Sequence, residues 1–273
     1  MAGDEAQPKV EPAGVAAPDF ERALQSDQFF LVYQPTIDLQ TGAFAGVEAL
    51  IRWRHPQRGV LNPDAFISAL EASDEIVPVG RWALNTACAQ GAIWHDKGYR
   101  FPVSVNVARR QFESAEFHHD VEQALATSRF DPALLVQEFA QGTLAADEVA
   151  TQSRLEPLWS LGIRLAVDDF EPGASTLDDL GRFHVEIVKL DRQFISGVTS
   201  SAEASSLVQS VVKLSDARHV QVIASGIEES DQRERLQSEN VHVGQGFLFS
   251  EPHEASEIDR FLEDFAIFSG KPL

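Results

Sequence analysis

One cysteine and one methionine stand among 273 residues. Cys88 has no partner for an internal disulfide and no CxxC neighbour, so a thiolate metal cluster is excluded and a reducing compartment fits. Positive charge is scarce, with 22 Lys and Arg against 42 Asp and Glu and a formal net charge of -20 at pH 7. Such a field repels polyanions, which excludes general coating of DNA or RNA; a phosphate ligand needs metal ions or a local basic pocket. Long apolar runs are also missing: nothing approaches the roughly 18 residues that cross a bilayer, so no membrane insertion is expected. The opening MAGDEAQPKVEPAGVAAP has neither the basic start nor the apolar segment of a secretory signal, and a cytoplasmic location is expected. Its Ala, Pro and Glu content cannot bury a core, which makes residues 1–18 a disordered N-terminal tail in expectation. GxGxxG and Walker loops are absent, and His253-Glu254-Ala255-Ser256-Glu257 is not a zinc-binding HExxH.

What is present is a rhythm. Apolar runs rich in Val, Ile and Phe recur at 29–35, 43–50, 100–106, 134–138, 163–168, 185–189, 219–224 and 241–245. Helical spacing of apolar residues fills most of the gaps, as in 81–97, 149–161 and 207–214. Strand alternating with helix builds a parallel sheet, and eight strands predict a (β/α)8 barrel of TIM type. An open doubly wound sheet is the alternative. The first connection departs from the rhythm: Pro35 to Ala43 is too short for a crossover helix and contains the turn pair Thr41-Gly42, so strands one and two are expected to be antiparallel. The expected fold is thus a modified barrel with an antiparallel first strand, one domain over residues 19–273, with no internal repeat.

In such a barrel, side chains at the C-terminal strand ends converge on one mouth. Those ends carry Glu48, Asn106, Glu138, Asp168 with Asp169, Lys189 and Gln245. Bare carboxylates at one rim would repel one another, at a cost of several kcal/mol for charges about 4 Å apart. Divalent cations remove that cost, and an all-oxygen set suits Mg²⁺ or Mn²⁺ better than zinc. Asp168-Asp169 could bridge two ions, the arrangement that clamps in-line attack of water on a phosphodiester. Lys189 would orient that water or offset the developing charge. Taken singly, each residue has an ordinary structural use: an acid can cap a helix, Asp168-Asp169 can form a turn, and Lys189 or His118-His119 can be solvated. Only their concurrence at one mouth argues for chemistry. Ser225 is not read as a nucleophile, because the elbow motif needs a glycine where Ile223 stands.

The runs YQPTIDLQTGAFAGVEALIRWRHPQRG, SVNVARRQF, LGIRLAVDDF, VEIVKLDRQFI, IASGIE and VGQGFLFSEP resemble the EAL family of cyclic-di-GMP phosphodiesterases, in register from about residue 28 to 252. Glu48-Ala49-Leu50 is the signature tripeptide. The resemblance implies a barrel with its first strand reversed and a site that uses Mg²⁺ or Mn²⁺, one or two ions. Glu48, Asn106, Glu138 and Asp168 resemble ligands of the first ion, and Asp168 with Asp169 those of the second. Lys189 matches the lysine that contacts the hydrolytic water, so Lys189, Glu48 and Asp169 form the expected catalytic group. Gln34, Arg52 and Gln245 match positions that contact the dinucleotide, Arg52 through phosphate.

Four positions depart from the family. Ser225 replaces the glutamate of Ala-Glu-Gly, Gln141 replaces the second glutamate of Glu-x-Thr-Glu, and the loop after Asp-Asp-Phe reads Glu171-Pro172-Gly173-Ala174-Ser175-Thr176 instead of the Gly-Thr-Gly-Tyr-Ser-Ser type. Glu171 and Pro172 exchange two flexible residues for a charged and a rigid one. A hydroxyl at 225 is a poor ligand and no base at neutral pH. All four changes fall on the half of the site that would serve the second ion, whose occupancy is therefore in question. Three functions stay open: a degenerate domain that binds cyclic-di-GMP and passes the signal to a protein partner or through a homodimer, a metal-dependent phosphodiesterase releasing linear pGpG, and an adaptor that ignores the nucleotide. No sensory or cyclase segment is recognised in the chain, so an input would come from a partner or from nucleotide concentration.

Overall fold

In the computed structural model, which describes residues 17–170 and 181–269, each of the eight apolar runs is a strand. They are β1 (Phe29–Asp38), β2 (Phe44–His55), β4 (Val103–Val107), β5 (Leu135–Ala140), β6 (Arg164–Phe170), β7 (Ile187–Leu190), β8 (Gln221–Ala224) and β9 (Val243–Gln245). A ninth, β3 (Gly59–Leu61), was not expected; it pairs with the far end of β2, which runs five residues past the predicted stretch. Helices α1 (Ala17–Gln25), α2 (Ile67–Glu71), α3 (Ile76–Asp96), α4 (Arg109–Glu113) and α5 (Phe117–Ser128) precede β5. They are followed by α6 (Gln141–Leu144), α7 (Glu148–Leu161), α8 (Arg192–Ser196), α9 (Ala202–Asp216), α10 (Ser230–Ser238) and α11 (Ala255–Ser269).

The strands close in the ring β1-β9-β8-β7-β6-β5-β4-β2, with β2 returning to β1, so the sheet is a barrel and not an open sheet. β1 is antiparallel to both neighbours, while the pairs from β2 and β4 through β8 and β9 are parallel. The reversal originates in the tight turn anticipated at Thr41-Gly42. Asp38 accepts at one carboxylate oxygen from the backbone of Gln40 at 3.0 Å and Thr41 at 2.7 Å, and Gly42 takes the left-handed conformation at φ 69°.

Period-2 alternation decides what fills the barrel. Val136, Ala166, Ile187, Ile223 and Val243 form its apolar plug. Two residues further along the same five strands come Glu138, Asp168, Lys189, Ser225 and Gln245, a polar layer resting on that plug. The intervening residues point outward and pack under the helices; Val105, Phe139, Leu165, Val167, Val188 and Val222 belong to this main core.

A second apolar cluster lies apart from the main core. Phe20 and Ala23 of α1, Phe29, Trp53, Leu61, Phe66, Leu70, Ile76 and Val79 bury one another above the mouth side of the β1–β2 hairpin. Trp53 is its hub, with ring centroids of Phe20 at 5.4 Å, Phe29 at 5.5 Å and Phe66 at 5.6 Å. This cluster explains the extension of β2: its outer half gains burial from α1 and α2 instead of from the barrel. Phe20 is fully buried, so Phe20→Ala should cost about 3 kcal/mol of unfolding free energy in a urea titration. A loss below about 1 kcal/mol would mean that α1 is not part of the cooperative fold.

Candidate active site

The acids predicted to converge do converge. Glu48, Glu138 and Asp168 bring carboxylate oxygens within 4.8 Å of one another, and the three can hold a metal ion. Lys189 lies among them, its Nζ 2.6 Å from Glu138 Oε2, 3.0 Å from Glu48 Oε2 and 3.4 Å from Asp168 Oδ1. Glu48, Glu138 and Lys189 are all more than nine-tenths buried. One ammonium thus faces three carboxylates, and burial alone would discharge Glu48, Glu138 and Lys189.

The partners are distributed unequally. Glu48 accepts from Lys189, from Gln245 Nε2 at 2.7 Å and from Asn106 Nδ2 at 2.8 Å. Burial pushes its pKa up, but the lysine and these donors outweigh burial and hold it below the usual carboxylate range. Glu138 has the lysine alone. Burial raises it to about 8, the neighbouring Glu48 and Asp168 add to the rise, and Lys189 only moderates it. Burial would also discharge Lys189, yet Glu138, Glu48 and Asp168 keep it protonated well above the normal range. The donor chain continues outward: Gln245 Nε2 also donates to Gln34 Oε1 at 3.2 Å, and Gln34 Nε2 donates to Ser250 O at 3.1 Å.

Asp169 is placed differently from Asp168. The β6–β7 register breaks between Val167 and Phe170, and Asp169 adopts the left-handed φ of 51°, where its amide donates to Asp168 Oδ1 at 3.0 Å. The kink turns two successive carboxylates toward the rim. Partial burial, then Asp168 and Asp191, push the Asp169 carboxyl up to about 6. Asp191 was not singled out in the sequence, although it sits two residues after Lys189 in the same motif and lines the same space. It also caps α8 by accepting from Gln193 N at 2.6 Å.

Two cavities meet at this layer. One, of about 240 Å³, is lined by Gln34, Glu48, Asp168, Asp169, Lys189 and Ser225, with Asp191, Glu228, Gln245 and Phe247 around them. The Ser225 hydroxyl is buried here without a hydrogen-bond partner among the described residues. Glu228, also unforeseen, is bound to Arg192 at 2.5 Å. The backbone here leaves no slack, because a Cβ at Gly246 would collide with the main chain of Ile227. The other cavity, of about 280 Å³, holds Asn106, Glu138, Asp168 and Asp169 at one end and is otherwise mostly apolar.

Not every expected residue joins. Arg52 lines neither cavity; it is half-buried at the outer part of β2 and gives one guanidinium hydrogen bond to Ile51 O at 2.8 Å. Burial lowers its pKa, and the nearby carboxylates of Asp64 and Glu48 oppose that shift, so Arg52 stands within electrostatic reach of the acidic cluster. Gln141 begins α6 and also lines neither cavity. Glu171 and Pro172 lie outside the described residues. No described helix is long and apolar enough to cross a membrane.

Comparison with known proteins agrees with this geometry. The EAL domain pattern matches residues 17–252. "Cyclic di-GMP phosphodiesterase PA2567" of Pseudomonas aeruginosa is 36% identical over 86% of this chain and 40% of its own length, and "Cyclic di-GMP phosphodiesterase PdeR" of Escherichia coli is 33% identical over 90% and 37%. The chain thus spans well under half the length of the curated relatives it matches. A solved structure described as "PaMucR Phosphodiesterase, c-di-GMP complex" superposes with a TM-score of 0.84 at 33% identity, over 88% of this chain and 98% of that one. The EAL domain of Mycobacterium smegmatis DcpA gives 0.71 at 27%, covering 86% and 95%. A closed barrel with its first strand reversed, an acidic cluster at its mouth and a pattern matching from α1 to Pro252 together make this chain a member of the EAL-domain family of cyclic-di-GMP phosphodiesterases.

Proposed function

We propose that this domain binds cyclic-di-GMP at the barrel mouth in the presence of Mg²⁺ or Mn²⁺ and hydrolyses it weakly or not at all, serving as a second-messenger receptor. The observation that carries the reading is the unpaired hydroxyl of Ser225 in the cavity wall, in a polar layer whose other occupants hold ions or amides. The first half of the site is complete. Glu48, Glu138 and Asp168 supply anionic oxygens, and Asn106 keeps its amide oxygen free of hydrogen bonds among the described residues while its nitrogen anchors Glu48. The surplus of negative charge over Lys189 fits a dication of the oxygen-seeking kind. Such an ion, when bound, supplies Lewis acidity and a nucleophilic water near neutral pH.

Around it the chain's own groups hold and steer. Gln245 fixes Glu48 while Gln34 accepts from Gln245, and both offer amides to the nucleotide; Arg52 waits at the rim as a phosphate partner, and Lys189 stands ready to release a carboxylate and donate to an oxygen of the scissile group. On the other side Asp169 and Asp191 crowd each other, while Ser225 contributes neither charge nor base. The charge needed to hold a second ion is short by one carboxylate, and catalytic carboxylates commonly account for about 10² to 10⁴ in rate. A second reading, an active phosphodiesterase that opens one phosphodiester with water to give linear pGpG, is favoured by the intact acid and lysine cluster. Signal output through a protein partner or a homodimer belongs to the first reading.

Product analysis after incubating the protein with cyclic-di-GMP and Mn²⁺ separates the two: intact nucleotide that co-migrates with the protein is expected, and stoichiometric pGpG within minutes would overturn the receptor reading. Ser225→Glu combined with Gln141→Glu should raise hydrolysis by about tenfold or more; equal rates in parent and double variant, with nucleotide still bound, would mean that these positions are not the lesion. Glu48→Ala should abolish metal-dependent binding in a calorimetric titration, and unchanged affinity would remove Glu48 from the ligand set. Glu138→Gln in chelator should melt at or above the parent, because it relieves repulsion inside the cluster, and added Mn²⁺ should then stabilise the parent but not the variant. A variant that gains as much from Mn²⁺ as the parent would show that the ion does not rest on Glu138.

A further inference from the structure

Lys189 stands among the oxygens that a cation would need. Its Nζ lies 2.6 Å from Glu138 Oε2, 3.0 Å from Glu48 Oε2 and 3.4 Å from Asp168 Oδ1, and the carboxylates of these same three residues come close enough together to share an ion. An ammonium hydrogen-bonded to the cluster and a dication coordinated by it are rivals, both for the oxygens and through the repulsion between their charges. The family likeness gives Lys189 a part only once a hydrolytic water is in place. The empty protein gives it another.

The surroundings decide what can move. Glu48 is held independently of the lysine, by Asn106 Nδ2 and Gln245 Nε2, so it keeps its position when the ammonium leaves. Two residues before Lys189 on the same strand, Ile187 belongs to the apolar plug and offers the charge nothing. Lys189 also lines the 240 Å³ cavity, together with Asp169, Asp191 and Ser225. Acceptors stand on that side: two carboxylates, and the buried Ser225 hydroxyl that has no hydrogen-bond partner among the described residues.

We propose that Lys189 is an internal counter-ion that fills the cation's place in the empty protein, and that the site admits a dication only as the ammonium swings from Glu138 and Glu48 into the cavity beside Asp191 and Ser225. The inference rests on the metal-dependent reading given above and adds its regulation. Lys189 neutralises part of the acidic charge when no ion is bound, keeps the cation weakly held and exchangeable, and ties it to the anionic ligand. A phosphate group in the 240 Å³ cavity draws the ammonium in the same direction, so phosphate ligand and cation each raise the other's affinity by the same factor.

The test uses cations alone. Lys189→Met removes the charge and keeps an unbranched apolar stem; parent and variant are stripped with chelator and titrated calorimetrically with Mn²⁺. Affinity in the variant should be about tenfold or more above that of the parent, since the rival charge is gone. Heat in the parent with equal or lower affinity in the variant overturns the proposal and leaves the metal-dependent reading standing. Absence of heat in both defeats that reading and this inference with it. A second measurement needs no variant. Lys189 is the one buried lysine among the described residues, so in chelator its ammonium protons should exchange slowly and give a resolved nitrogen–proton NMR signal. Saturation with Mg²⁺ should shift or abolish that signal. Its absence in chelator, or its persistence unchanged at saturating Mg²⁺, overturns the proposal whether or not the variant folds.

Discussion

One buried ammonium shared by three carboxylates is the constraint from which the site takes its form. Burial penalises each charge separately, so the cluster exists only because Lys189 lies within reach of Glu48, Glu138 and Asp168 at once. The sharing is uneven. Glu48 has two amide donors besides the lysine and stays ionised, while Glu138 depends on Lys189 alone and takes up a proton more readily. An incoming dication would have its strongest effect on Glu138, and the lysine would be released from the acid it holds most tightly.

Much of this was legible from periodicity. The five plug residues and the five polar residues above them follow from alternation along each strand, and the reversed first strand follows from a nine-residue connection around Thr41-Gly42. What was not legible has a common physical origin. β3, the outward run of β2 and the burial of Phe20 depend on contacts among segments distant in sequence, and the composition of α1 resembles that of the tail before it. Arg52, drawn to the site by its motif, stands on the outer part of β2 within electrostatic reach of Glu48. Asp191 was overlooked because its capping duty at α8 masks its approach to Asp169; the signal available was its spacing of two from Lys189.

Two different environments meet at the mouth. On the Ser225 side the walls are polar and crowded with acids, and the open questions there concern turnover. In the larger cavity they are mostly apolar and shaped by helix packing. Of the departures from the family pattern, Ser225 lies in the wall of the polar cavity, while Gln141 lines neither cavity.

Stability arguments run in the same direction. Three acids around one lysine are unfavourable in the empty protein, and they face the cavities at the mouth. A fold that tolerates them must draw its net stability from elsewhere, and two independent apolar clusters provide it: the main core under the helices and the aromatic group around Trp53. The second cluster is the smaller. Leu70, Ile76 and Val79 belong both to this cluster and to the wall of the larger cavity, so the packing that holds α1 also shapes that wall.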